Sequence, residues 1–205
     1  MQDPEIIYKK DDCIVVISPI ISEDEWNTIK FNFNFPELSA KSLKRRLEWA
    51  TTHILLKFIF KEIVTYKYTL DGKPVLDNRD EKISISHSHN YCTVIISKTK
   101  AVGVDIEEPS DRIYKIADRF ISVEEEKWIQ KSTNKRDILF LIWCAKESLY
   151  KVTDEKPDFK ENLFVEEVVL ENNGKLKGRL CLHNSSKIYD LFYISTDKYI
   201  MAFTI

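Results

Sequence analysis

Glycine is scarce in this chain of 205 residues. Gly72, Gly103, Gly174 and Gly178 are the whole complement, too few and too scattered for a flexible linker, so the chain reads as compact throughout. Low-complexity tracts and repeats of residue identity are also missing. The four cysteines, Cys13, Cys92, Cys144 and Cys181, stand far apart beside apolar residues with no CxxC spacing. That pattern gives no support to a zinc knuckle or a redox motif and predicts reduced, buried thiols. No apolar run approaches the roughly 18 residues that would span a bilayer. The start, Met1-Gln2-Asp3-Pro4-Glu5, lacks the basic flank and apolar segment of a secretory leader. A cytoplasmic protein with no membrane partner is expected. An excess of one charge sign is absent too: 31 basic and 33 acidic side chains leave a net charge of -2, with no global pull toward nucleic acid. Lys41, Lys44, Arg45 and Arg46 form only a local positive patch.

What is present suits one substantial core or two small lobes, with 43% apolar residues. Cys13 to Ile17 reads as a strand, and Ser22-Glu23-Asp24-Glu25 has the spacing of a capping box that opens a helix to about Lys30. Leu43, Leu47, Ala50, Ile54 and Phe58 recur at helical spacing and predict a long helix from near Ser39 to Ile63. Tyr66 to Leu70 reads as a strand closed by the turn Asp71-Gly72. The alternating Ile83-Ser84-Ile85-Ser86, then Thr93 to Ser97, then Ala101 to Glu107 predict a three-stranded antiparallel meander. Ser122-Val123-Glu124-Glu125 is a second capping box, and Ile138, Ile142, Ala145, Leu149 and Val152 form the core stripe of a helix from about Lys135 to Val152. Strands are expected at Phe164 to Leu170, Leu176 to Leu182, Ile188 to Ile194 and Tyr199 to Thr204. The order of elements predicts an α+β protein of two lobes packed side by side, residues 1–100 and 101–205.

Two acidic clusters carry the chemistry. Side chains alternate along a strand, so in Val102-Gly103-Val104-Asp105-Ile106-Glu107 the two acids share a face, roughly 6 to 7 Å apart. On the helix, Glu147 lies nearly opposite the core stripe, flanked by Phe140, Trp143, Cys144 and Lys151, which places Glu147 and Lys151 at the wall of a cleft. If the fold joins the clusters, three carboxylates meet beside one lysine, a set suited to a divalent metal and a pyrophosphate. Each piece alone has a plainer meaning. An acid pair at a strand end is commonly just solvated, and Glu147 with Lys151 is also the pattern of a helix-surface ion pair worth about 0.3 to 0.5 kcal/mol. His87 and His89 in Ser86-His87-Ser88-His89 lack the further ligands a zinc site needs. An imidazole donating to phosphate beside a serine hydroxyl is at least as good a reading. Lys73, held extended by Pro74, could present its ammonium at a loop mouth.

Taken in order, Gly72-Lys73-Pro74, Ile83-Ser84-Ile85-Ser86-His87-Ser88, Val102 to Glu107, Arg119-Phe120-Ile121-Ser122-Val123-Glu124-Glu125 and Trp143-Cys144-Ala145-Lys146-Glu147-Ser148-Leu149-Tyr150-Lys151 resemble the 4′-phosphopantetheinyl transferase superfamily, in its single-chain, pseudo-dimeric branch. The resemblance covers roughly residues 39 to 152. It implies two similar α+β lobes related by a pseudo-twofold axis, with coenzyme A as co-substrate in the cleft between them. It further implies Mg²⁺, with Mn²⁺ as a substitute, held by Asp105, Glu107 and Glu147, and Lys151 facing the reacting phosphate. Arg45, Lys73, Ser86 and His87 match residues that hold the nucleotide end, and Glu125 falls on a position proposed to help deprotonate the attacking hydroxyl. The implied activity moves the phosphopantetheine arm of coenzyme A to a serine of an apo acyl or peptidyl carrier protein. Lys115, Arg119 and Lys127 are candidates for the carrier-docking surface, and a monomer is expected because a pseudo-dimeric chain builds its site alone. The family pattern on the long helix fits Arg45, Glu48 and Trp49, but His53 replaces its second arginine. A magnesium-dependent phosphohydrolase, or a non-catalytic module that binds carrier proteins or nucleotides, would use the same acids.

Overall fold

Runs of β-branched and aromatic residues set the strands, and a computed structural model, which describes residues 2–29 and 42–204, sorts them into two antiparallel sheets and a two-stranded ribbon. Strands β1 (Glu5–Lys10) and β2 (Cys13–Pro19) form a hairpin that turns at Asp11 in the left-handed region. Helix α1 (Glu23–Ile29) opens with the expected capping box: Glu25 N–H donates to Ser22 Oγ at 3.2 Å and Ser22 N–H to Glu25 Oε2 at 2.8 Å. The long helix α2 is Leu43–Phe60, capped by Ser42 and ended by Lys61 with φ of 61°. It stops short of Ile63, which is exposed; the expected start near Ser39, Lys30 and the basic Lys41 lie outside the described residues. Strands β3 (Tyr66–Tyr68) and β4 (Pro74–Leu76) form the ribbon, and β5 (Lys82–His87) and β6 (Tyr91–Ser97) complete the first sheet in the order β1-β2-β6-β5.

After β7 (Val104–Glu107) come two short 3-10 turns, α3 (Val123–Ile129) with its capping box, and α4 (Lys135–Val152). Strands β8 (Leu163–Val165), β9 (Asn173–Leu182), β10 (Ser185–Ser195) and β11 (Ile200–Thr204) follow, and the second sheet runs β7-β11-β10-β9-β8. The period-two alternation gives each sheet two buried faces. Val16, Val94 and Ile96 pack with Leu55 and Leu56 of α2, whereas their neighbours Val15, Ile17 and Ile95 meet Val104, Ile106, Met201 and Phe203 of the second sheet. On the far side, Leu191, Ile200 and Ala202 pack against Ile138, Ile142, Ala145 and Leu149 of α4. The chain is thus a mixed α+β protein with helices on the outer faces of two antiparallel sheets. Cys92 and Cys144 are buried and Cys13 and Cys181 only half-buried, all four free, so burial of the thiols extends to two of them. Among the described residues no helix is long and apolar enough to cross a membrane.

The expected meander is not formed. Strand β7 pairs with β11, Asp105 opposite Ala202 and Glu107 opposite Ile200, rather than by a backbone ladder with β5 or β6. Its remaining N–H groups still find partners on the first sheet: Val104 N–H donates to Ser84 Oγ at 3.2 Å and Ile106 N–H to Ser86 Oγ at 3.4 Å. The alternating serines of β5 supply side-chain acceptors where a sheet would supply carbonyls, and so tie the two sheets at their edges.

Gly103 decides how closely α4 approaches β7. A Cβ there would stand 1.9 Å from the carbonyl oxygen of Ser148, a backbone atom that cannot swing aside. Gly103→Ala is therefore expected to lift α4 from the sheet and to cost about 3 kcal/mol, the upper part of the overpacking range. Urea unfolding reads this as a fall in midpoint, and an unchanged midpoint would contradict the close approach.

Candidate active site

The same close approach brings the two acidic clusters together. With Ser148 over Gly103, Glu147 and Lys151 on α4 lie beside the face of β7 that carries Asp105 and Glu107. Lys151 Nζ donates to Val104 O at 2.8 Å, a carbonyl that β11 leaves free, and to Asp105 Oδ1 at 2.9 Å. Ser86 Oγ donates to the same Oδ1 at 2.7 Å. The other oxygen, Asp105 Oδ2, is buried and accepts no hydrogen bond among the described residues, with the Cys144 thiol beside the carboxylate. Glu107 is half-buried, accepts from Arg112 Nη2 at 2.6 Å and bonds the Trp143 side chain. Burial first, then the Asp105 charge, pushes its carboxyl above the usual range, with Arg112 opposing. Glu147 makes no hydrogen bond among the described residues; burial, then Asp105 and Glu107, push it up to about 7 against the pull of Lys151. The Asp105 charge thus raises both Glu107 and Glu147, and a cation relieves such crowding of carboxylates.

Among the described residues, no three His, Cys, Asp or Glu side chains are gathered into a metal-ligating group. The expected three-carboxylate cage is therefore not preformed, since Ser86 and Lys151 hold Asp105 Oδ1 and Arg112 holds Glu107. Magnesium does not need such a cage: it keeps several waters and takes one or two carboxylates together with phosphate oxygens. A buried, unpartnered carboxylate oxygen with two further acids nearby fits that demand, because a lone buried acceptor otherwise costs about 1 to 3 kcal/mol or more.

Of the remaining candidates, Lys73 lines a cavity of about 640 Å³ together with Gly72, Ser84, Glu147, Lys151 and Asp154, among others, whereas Arg45, Ser86 and His87 are not part of its wall. Lys73 reaches into it from the β3–β4 turn, where its Nζ donates to Thr153 O and, at 2.6 Å, to Asp154 Oδ1. Arg45 is exposed and bonds Glu48 Oε2 at 3.1 Å, one turn along α2. His87 points toward α2, its Nε2 2.9 Å from Thr52 Oγ1. That hydroxyl also donates to Glu48 O at 3.0 Å. Burial, with Lys151 and Arg45 adding repulsion, pushes His87 down to about 4. The ring is neutral at pH 7. His53 is neutral as well, pushed down to about 4 by burial, with Nδ1–H donated to Trp49 O at 2.9 Å. It supplies none of the positive charge of the arginine it replaces.

Glu125 requires correction. It is not brought to the acid cluster but lies in the core of the second sheet, 1% exposed. Its Oε2 accepts from Ser122 N–H, Ser122 Oγ and Lys146 Nζ, and its Oε1 from Val165 N–H. No part of that carboxylate is open to a substrate hydroxyl. Conversely, Ser84, Arg112 and Asp154 touch the site without having been picked out in the sequence. Ser84 had a usable signal in its alternation with Ser86, whereas Arg112 and Asp154 sit in connecting segments with no periodicity to mark them.

Comparison of the chain with known proteins points to one superfamily. The model of the 4′-phosphopantetheinyl transferase superfamily matches residues 101–204. The 4′-phosphopantetheinyl transferase gsp of Aneurinibacillus migulanus is 34% identical over 92 residues, 44% of this chain and 38% of that protein. The protein slr0495 of Synechocystis sp., which carries the same transferase name provisionally, is 27% identical over 95 residues, 43% of this chain and 39% of its own length. The chain thus spans about two-fifths of the length of these curated relatives, and the family-model match covers the half that holds β7 and α4.

Proposed function

We propose, because the chain belongs to the 4′-phosphopantetheinyl transferase superfamily, that it moves the phosphopantetheine arm of coenzyme A to a serine hydroxyl of an apo acyl or peptidyl carrier protein. The by-product is adenosine 3′,5′-bisphosphate. The observation that carries this reading is the buried Oδ2 of Asp105, which accepts no hydrogen bond among the described residues, beside Lys151, which with Glu147 lines a cavity within the size range of small-molecule sites. Asp105, with Glu107 and Glu147, would hold Mg²⁺, or Mn²⁺ in its place. When bound, the ion supplies positive charge to the pyrophosphate as the leaving phosphate departs.

The chain's own groups do the rest. Lys151 sits on the rigid α4 within reach of the acids and adds a second cation where phosphate charge grows. Glu147, which has no hydrogen-bond partner of its own among the described residues, takes the serine proton directly or through a water. The serine oxygen then bonds the β-phosphorus as the bond to the bisphosphate breaks, with no covalent enzyme intermediate. Lys73 and Arg45 contribute positive charge toward the nucleotide end, Lys73 after exchanging Asp154 for the ligand. The carrier would dock on exposed Lys115, Arg119 and Lys127, next to exposed Tyr114 and Val123.

Intact-mass measurement of apo carrier proteins incubated with the protein, coenzyme A and Mg²⁺ tests this. The expected result is a mass gain of one phosphopantetheine arm on the carrier. Cleavage of coenzyme A with the carrier unmodified would assign a hydrolase instead, and binding without turnover a non-catalytic module.

A further inference from the structure

Ser86 occupies a position expected to touch the nucleotide, yet its surroundings are those of a different task. A hydroxyl has one proton, and that of Ser86 is committed to Asp105 Oδ1 at 2.7 Å, the usual length of an O–H···O bond. One lone pair faces Ile106 N–H at 3.4 Å. The residue is 7% exposed, so it has no donor to offer a phosphate while this arrangement stands. Strand alternation explains the division of labour: Ser84 and Ser86 face β7, while His87 faces Thr52 of α2.

We propose that Ser86 is a positioning residue, which fixes the Asp105 carboxylate so that Oδ2 is presented to a divalent cation, and that it is not a nucleotide contact. The inference rests on the reading that Asp105 holds such a cation. Ser86 and Lys151 clamp Oδ1 from two elements, β5 of the first sheet and α4 over the second. With Oδ1 clamped, the carboxylate cannot rotate to satisfy Oδ2 elsewhere. The serine therefore both sets the rotamer and prevents the acid from pairing away from the ion. Ser84 provides an internal control, because its hydroxyl makes the equivalent rung to Val104 N–H at 3.2 Å and no bond to an acid.

Mn²⁺ binding, followed by electron paramagnetic resonance of the free ion, separates these roles without relying on turnover. Ser86→Ala is expected to weaken Mn²⁺ binding by about tenfold or more, as loss of a hydrogen bond to a charged group implies, while Ser84→Ala leaves it near wild type. Ser86→Thr, which keeps a hydroxyl, should restore binding, and thermal unfolding checks that each variant is folded. Coenzyme A affinity measured with chelator present should not change in Ser86→Ala. Two results would overturn the inference: wild-type Mn²⁺ affinity in folded Ser86→Ala, or a loss of metal-free coenzyme A binding as large as the loss of Mn²⁺ binding. Failure of the wild-type protein to bind Mn²⁺ at all would instead remove the metal reading on which the inference stands.

Discussion

Asp105→Asn is expected to lower carrier labelling by about 10²- to 10³-fold, the range for loss of one group that stabilises transition-state charge, with the protein still folded. Asparagine keeps the shape of the side chain and an oxygen for Ser86 and Lys151, so the packing between β7, β5 and α4 should survive. What it removes is the negative charge that Lys151 neutralises and that a cation would meet at Oδ2. In the wild-type protein that oxygen is buried without a hydrogen-bond partner among the described residues, an arrangement that destabilises the fold unless a ligand satisfies it. The thermal midpoint of the metal-free variant should therefore equal or exceed that of wild type, the usual direction when a functional group under electrostatic strain is neutralised. Labelling with a fluorescent coenzyme A in single turnover, beside a melting curve, reads both effects. Unchanged labelling in a folded variant would remove Asp105 from the centre of the site.

Much of this site was legible because strand and helix periods decide faces. The alternation through Val104-Asp105-Ile106-Glu107 places the acids together, and the apolar stripe of the helix places Glu147 and Lys151 on the opposite wall. The structure puts the helix at Lys135–Val152, the bounds read from that stripe. Periodicity does not choose partners, however. The three-residue link Lys98-Thr99-Lys100 favours a hairpin locally, yet β7 pairs with β11, nearly a hundred residues away, because Gly103 allows α4 to cover one face of that sheet while Val104 and Ile106 enter the core between the sheets. The partnership of Ser86 with Asp105 was not legible, because it depends on how the two sheets meet. Lys146 was the hardest to read. A lysine within a helix ordinarily extends to solvent, and nothing adjacent in sequence shows that this one is completely buried.

That burial gives the largest stability effect expected from a single side chain. Lys146 Nζ has three donors, and Phe120 O, Glu125 Oε2 and Phe159 O take them. Burial lowers the affinity of the amine for its proton and the Glu125 charge opposes this. Lys146→Ala would leave a buried carboxylate and two carbonyls short of a donor, and the expected cost is about 3 to 5 kcal/mol, the magnitude for breaking a buried ion pair from one side. Glu125→Gln should be damaging for a different reason. Its amide can keep one acceptor for Val165 N–H, but then its NH₂ faces Ser122 N–H and Lys146, donor against donor. The double variant should cost less than the sum of the two singles, because the second change removes the partner that the first left unsatisfied. Denaturant unfolding of the four proteins measures that coupling, and additive losses would show that the two side chains act separately. The pair joins the α3 cap, the 3-10 segment and β8 to α4 one residue before Glu147. A folded Lys146 variant should therefore also label carrier more slowly, with coenzyme A affinity less affected, since the rotation of α4 that presents Glu147 and Lys151 to Asp105 depends on this anchor.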